Sequence, residues 1–219
     1  ALQLGDSLGT GAELWMNLES QYQLSKVRTA DDLISRRAHL YERFPVREMV
    51  KRGWITASKN IDVLEQQFLQ FFGLGQLDEP VFFSHAAKKS DAEAPPMILQ
   101  LAWLRRACQV AGQIVSAPYD EAALRQALPR LAAMRSAPEE TRHVARLLAE
   151  CGVRFVVVEP IAGTKIDGAC FWLADDQPVV ALSLRLDRID NFWFVLRHEL
   201  EHVLHRHGRE RGYILDQEI

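Results

Sequence analysis

Cysteine is scarce in this chain. The three residues, Cys108, Cys151 and Cys170, lie far apart and form no C-x-x-C pair. Such an odd, scattered set argues against a disulfide framework and fits reduced thiols in a cytoplasmic protein. No apolar run reaches transmembrane length and no signal peptide opens the sequence, so no membrane partner is expected. Charge is nearly balanced: 26 Lys and Arg against 29 Asp and Glu leave −3. With a pI of about 6.2, the chain as a whole does not read as a binder of nucleic acid or of an anionic membrane. The helices carry no internal repeat. What is present is a 219-residue globular sequence, 48% hydrophobic, long enough to bury a sizeable core in one or two domains. It begins at Ala1 without an initiator Met, and is expected to be a piece of a longer protein.

Before residue 135 the patterning is helical. Turn signals and a probable N-cap at Thr10 precede Leu14, Trp15, Leu18 and Tyr22, which mark one face of a short amphipathic helix. Helix is expected from Arg36 to Phe72, with Pro45 near the start of one segment and Gly53 as its stop. Ile61, Leu64, Phe68, Leu69 and Phe72 then recur at helical spacing, and the Phe71-Phe72 pair reads as core. Ser84 to Pro96 has turn and charge residues without periodicity and reads as a loop, its Lys88-Lys89 pair solvated. Further helices are expected over Met97–Gly112 and Glu121–Met134.

The composition changes at Pro138. A helix from Pro138 ends at Gly152 and feeds Val153–Glu159, an almost continuous β-branched run that reads as a strand buried on both sides. Ala169–Leu173 and Val179–Leu184 read as two further strands around a hairpin loop at Ala174–Gln177. The expected class is α+β: a mostly helical first two thirds, then a small sheet lying only between Val153 and Leu184.

A last helix is expected directly after Asp190, and it carries His198-Glu199-Leu200-Glu201-His202, an H-E-x-x-H motif. On a helix, positions four apart lie only about 40° apart around the axis, so both imidazoles leave from one face and can share a metal. Glu199 is then placed as a general base for a water activated there. Phe192, Trp193, Leu196, Leu200, Val203 and Leu204 fall roughly opposite the histidines, at about 120–240°, as a broad apolar stripe. The bland alternative is a solvated helix with satisfied histidines. Zinc also wants a third protein ligand, and His205 lies about 4.5 Å further along the axis than His202. It reads as a neighbour of the ligands or as solvent-facing.

Phe192–His205, preceded by Val179–Leu184, resembles the ImmA/IrrE family of zinc metallopeptidases. Phe44–Ile55, Ala117–Asp120 and Gly163–Ala169 are similar to regulators that join an XRE-type helix-turn-helix to that peptidase domain. Leu8–Leu18 resembles the closing helices of HigA-type antitoxin DNA-binding domains. The resemblance implies a minimal zincin-like fold, Zn2+ as cofactor, His198 and His202 as metal ligands, and Glu199 as catalytic base. It implies a division into 1–30 (helix-turn-helix remnant), 31–117 (helical linker) and 118–219 (peptidase domain lacking its C-terminal part). In that family the third ligand is usually a Glu on the helix after the active one. Tyr213–Asp216 resembles the stretch just before that helix, so the ligand is expected beyond Ile219 and this chain is expected to be inactive alone. Among its own late carboxylates Glu218 is the weak candidate, ahead of Glu210 and Asp216. Glu201 stands where the family has a small residue, crowding the cleft or lending a carboxylate.

Three readings follow. The first is a zinc-dependent endopeptidase of a regulatory or stress system that cuts a repressor or antitoxin-like protein. The second is a HigA/XRE-type regulator or antitoxin whose peptidase-like domain only senses a ligand or partner. The third is an interaction scaffold with an incidental H-E-x-x-H. The expected partners are a protein substrate or repressor, DNA only through a helix-turn-helix upstream of Ala1, and a second copy of the chain as a homodimer.

Overall fold

The computed structural model describes residues 10, 12–81, 97–209 and 213–217. The loop expected over 84–96 lies outside them, as do Glu210 and Glu218. Within them the class is α+β with a small mixed sheet.

Helix α1 spans Ala12–Arg43, a single 32-residue helix. It replaces the short amphipathic helix expected around Leu14–Tyr22 and runs unbroken across residue 30. Leu14, Met16, Leu18, Tyr22 and Leu24 are all exposed, so the face marked by the sequence is not buried. Thr10 accepts a hydrogen bond from the Trp15 indole at 2.8 Å. Only the end of α1 enters the core, through Leu40, and Arg36 ties it to Asp62 and Glu65.

Short α2 (Val46–Lys51) follows Pro45, and Gly53 takes the left-handed conformation behind it at φ 66°. Residues 52–60 are not helical, so the helix expected over Arg36–Phe72 is three segments. Asn60 caps α3 (Ile61–Phe72) through the amide of Asp62, and Gly73 ends it. Helices α4 (Ile98–Ala111) and α5 (Glu121–Met134) follow, the latter capped by Asp120. The helix expected from Pro138 opens as a 3-10 turn, Pro138–His143, before α6 (Val144–Glu150).

Strands β1 (Arg154–Val157), β2 (Ile166–Trp172) and β3 (Pro178–Leu182) overlap the expected stretches, but β2 starts before Ala169, and β1 is an edge strand with Val157 exposed and not a strand buried on both sides. Leu173 and Gln177 close the β2–β3 hairpin. After α7 (Ile189–Leu204) comes β4 (Tyr213–Gln217). This corrects the expectation that the sheet stops at Leu184. Five residues without strict alternation give little strand signal on their own; pairing with β2 makes them a strand. The sheet order is β1-β3-β2-β4, with β1 parallel to β3 and the other pairs antiparallel.

Both faces of the sheet are covered. Val156, Ala169, Phe171, Val179, Ala181, Tyr213 and Leu215 face the core built by α1–α4, with Phe44, Phe68, Phe72 and Trp103. Cys170, Val180 and Leu182 face the second core, built by α5, α6 and α7. Strand alternation divides the residues between the two. No described helix is long and apolar enough to cross a membrane.

Candidate metal centre

The H-E-x-x-H helix forms as its periodicity predicts. Leu196, Leu200, Val203 and Leu204 are buried, with Trp193, against the sheet and its second core. This anchors the back of α7 and leaves the histidine face turned toward β4. The Nε2 atoms of His198 and His202 lie 3.1 Å apart. Asp216, from β4, brings Oδ2 to 3.2 Å from each of them. Among the described residues these three can hold a metal ion.

The dimensions fit a small cation. The three donor atoms form a triangle with edges of 3.1–3.2 Å, and a tetrahedral zinc with bonds of 2.0–2.1 Å sets its ligands roughly 3.3 Å apart. The chemistry fits too, since two imidazoles and a carboxylate are ordinary zinc donors. Asp216 Oδ2 is buried and makes no aligned hydrogen bond, although both imidazoles are near.

Glu199 is fully buried and neither of its carboxylate oxygens has a hydrogen-bond partner. Burial first, and then the neighbouring Asp216 carboxylate, push its carboxyl up to about 10. An unpaired buried carboxylate is costly, and here the cost sits one residue from His198. The position depends on Gly168 in β2. A Cβ there would stand 2.2 Å from Glu199 Oε1 and 2.8 Å from Val195 Cγ1. Glycine inside a strand marks such a close approach. Next to it, Asp167 is buried and paired through both oxygens with Arg185, at 3.0 and 3.1 Å. Ser183 accepts the amide of Arg185 and donates to the Ile166 carbonyl, which ties β3 to this part of β2. The β2–β4 register shifts between Ile166 and Gly168, so that Gly168 faces Asp216.

His202 is held from behind by His207. Their Nδ1 atoms are 2.8 Å apart, one donating and the other accepting according to tautomer. The His207 carbonyl accepts the Trp172 indole at 2.9 Å. A contact to the far ring nitrogen fixes the orientation of a ligating imidazole. Burial lowers the pKa of His202, which favours the neutral ring that a metal needs.

Thus the structure gathers His198, Glu199 and His202 as the motif implied, and adds Asp216, which the sequence reading ranked below Glu218. Gly168 and His207 were not singled out. A glycine directly before the expected strand Ala169–Leu173, and a histidine five residues past the motif, were the available signals. His205 is mostly exposed and sits 3.7 Å from Glu201. Glu201 is engaged by Arg197 one turn back and stands outside the cluster. No family model, no curated protein and no solved structure matches this chain.

Proposed function

We propose that this chain is a zinc-dependent peptidase acting on a protein substrate, a repressor or antitoxin-like regulator. One observation carries the reading. Two histidine Nε2 atoms converge at 3.1 Å on the same helix as a buried carboxylate that no other group satisfies. His198 and His202 would hold the metal. When bound, zinc supplies a Lewis acid that polarises a carbonyl and makes water a stronger acid.

The rest falls to the protein's own residues. Glu199, whose ionised form a cation held beside it would favour, takes the proton of the attacking water and returns it to the leaving amine nitrogen as the C–N bond breaks. Gly168 leaves Glu199 the room to sit there. His207 keeps His202 turned so that its Nε2 faces the site. The buried row Leu196, Leu200 and Val203 fixes α7 against the sheet, so the two ligands keep their spacing. A regulatory target is drawn from the resemblance to XRE- and HigA-type proteins.

Elemental analysis after dialysis against zinc, with a peptide library read by mass spectrometry, tests this. One zinc per chain is expected, lost in His198→Ala and His202→Ala. Cleavage should vanish in Glu199→Gln while zinc stays. Zinc without cleavage of any library peptide would favour a sensing regulator, and no retained zinc would leave only the scaffold.

A further inference from the structure

We propose that Asp216 is the third protein ligand, so that the edge strand β4 closes the metal centre and the metal in turn staples β4 to α7. The proposal rests on the reading of His198 and His202 as ligands. It departs from what the resemblance implies, a glutamate carried by a later helix.

Four observations converge. Asp216 Oδ2 is equidistant from the two imidazole nitrogens, 3.2 Å from each, as a shared cation requires. That oxygen is buried yet has no aligned hydrogen-bond donor, and such an atom in a folded protein calls for an unseen partner. The alternation of β4 is also right. Tyr213 and Leu215 join the core on the far face, which turns Asp216 to the face of α7. Finally, Asp216 stands opposite Gly168, a β2 position where a Cβ would collide with Glu199. The missing side chain leaves both carboxylates room on the same side of the sheet.

The two carboxylates then divide the work. Asp216 sits on the triangle of donors, whereas Glu199 lies outside it and stays free to move protons. A purely ionic role for Asp216 is the competitor: its carboxylate would pair with one protonated imidazole. That role would leave zinc affinity indifferent to Asp216.

The experiment is zinc affinity by competition with a chromophoric chelator. Hydrogen exchange of the Tyr213–Gln217 amides, with and without zinc, accompanies it. Wild type should bind one zinc, and zinc should slow exchange in β4. Asp216→Ala should lose more than the roughly 10–100-fold that removal of an outer partner costs, and zinc should no longer protect β4. Asp216→His should regain part of the affinity, and Glu218→Gln should behave as wild type. Should Asp216→Ala fail to fold, Asp216→Asn carries the same test with the shape kept. If zinc binding needs His198 and His202 but is indifferent to Asp216, the proposal falls and the functional reading stands. If wild type binds no zinc, both fall. An Asp216→Ala loss without any zinc effect on β4 exchange overturns the staple.

Discussion

The two faces of the sheet are built from the same strands and differ in one row. Toward α1–α4 the sheet residues that face the core are apolar, and four aromatic rings, Phe44, Phe68, Phe71 and Phe72, pack on one another with centroids 4.9–6.3 Å apart. Toward α7 the apolar packing of Cys170, Val180 and Leu182 gives way at one end to Gly168, Glu199 and Asp216. The first face maximises apolar burial and stability. The second places the buried carboxyl of Glu199 beside Asp216, whose Oδ2 is buried, which destabilises the fold unless something compensates. Strain of that kind collects where a protein does chemistry. The comparison therefore marks out the candidate site by its cost.

The comparison can be broken by substitution, and five outcomes are expected in falling order of size. Glu199→Gln should lower cleavage by about 10²–10⁴-fold with no drop in the thermal midpoint, because burial already holds the metal-free carboxyl uncharged at neutral pH and Gln keeps its shape. A midpoint that falls steeply would mean that Glu199 stabilises the fold. On the apolar face, Phe171→Ala should cost about 3–5 kcal/mol in urea unfolding while leaving zinc affinity intact. Leu200→Ala, behind the ligands, should cost about 2–5 kcal/mol. It should also weaken zinc binding, and unchanged affinity would uncouple the packing of α7 from the site. Gly168→Ala should cost about 1–3 kcal/mol as overpacking but remove most cleavage, since Glu199 must shift. Glu201→Gln breaks the surface pair with Arg197, worth about 0.3–0.5 kcal/mol, and the looser contact with His205, and should leave zinc binding unchanged.

Much of this contrast is written in local sequence. Sixteen residues of α7 hold a 3.6-residue period with the histidines opposite the apolar stripe, and such a signal survives any context. The hairpin at Ala174–Gln177 is equally local. The role of Asp216 is not, because it exists only through the register of β4 against β2, a pairing across more than forty residues. Tyr213-Ile-Leu-Asp216 has the composition of a strand and of a helix approach alike. The length of α1 was hidden for another reason. Its exposed first half buries no stripe, and amphipathic periodicity reports burial, not helix as such. The break at 52–60 was legible only at its start, where Gly53 signals a stop; helical spacing resumes at Ile61, so the length of the gap leaves no trace in the period.

Helix α1 has a mechanical consequence. From Leu40, which is buried, to Leu14, which is exposed, its axis runs about 39 Å at 1.5 Å per residue. It is held at its inner end by Leu40 and by the Arg36 ion pairs. A rotation of roughly 10° at that anchor sweeps the far end through about 7 Å. Leu40 shares its core with Phe171, on the strand whose opposite face carries Gly168. A small displacement at that anchor is thus enlarged at the exposed tip of the helix.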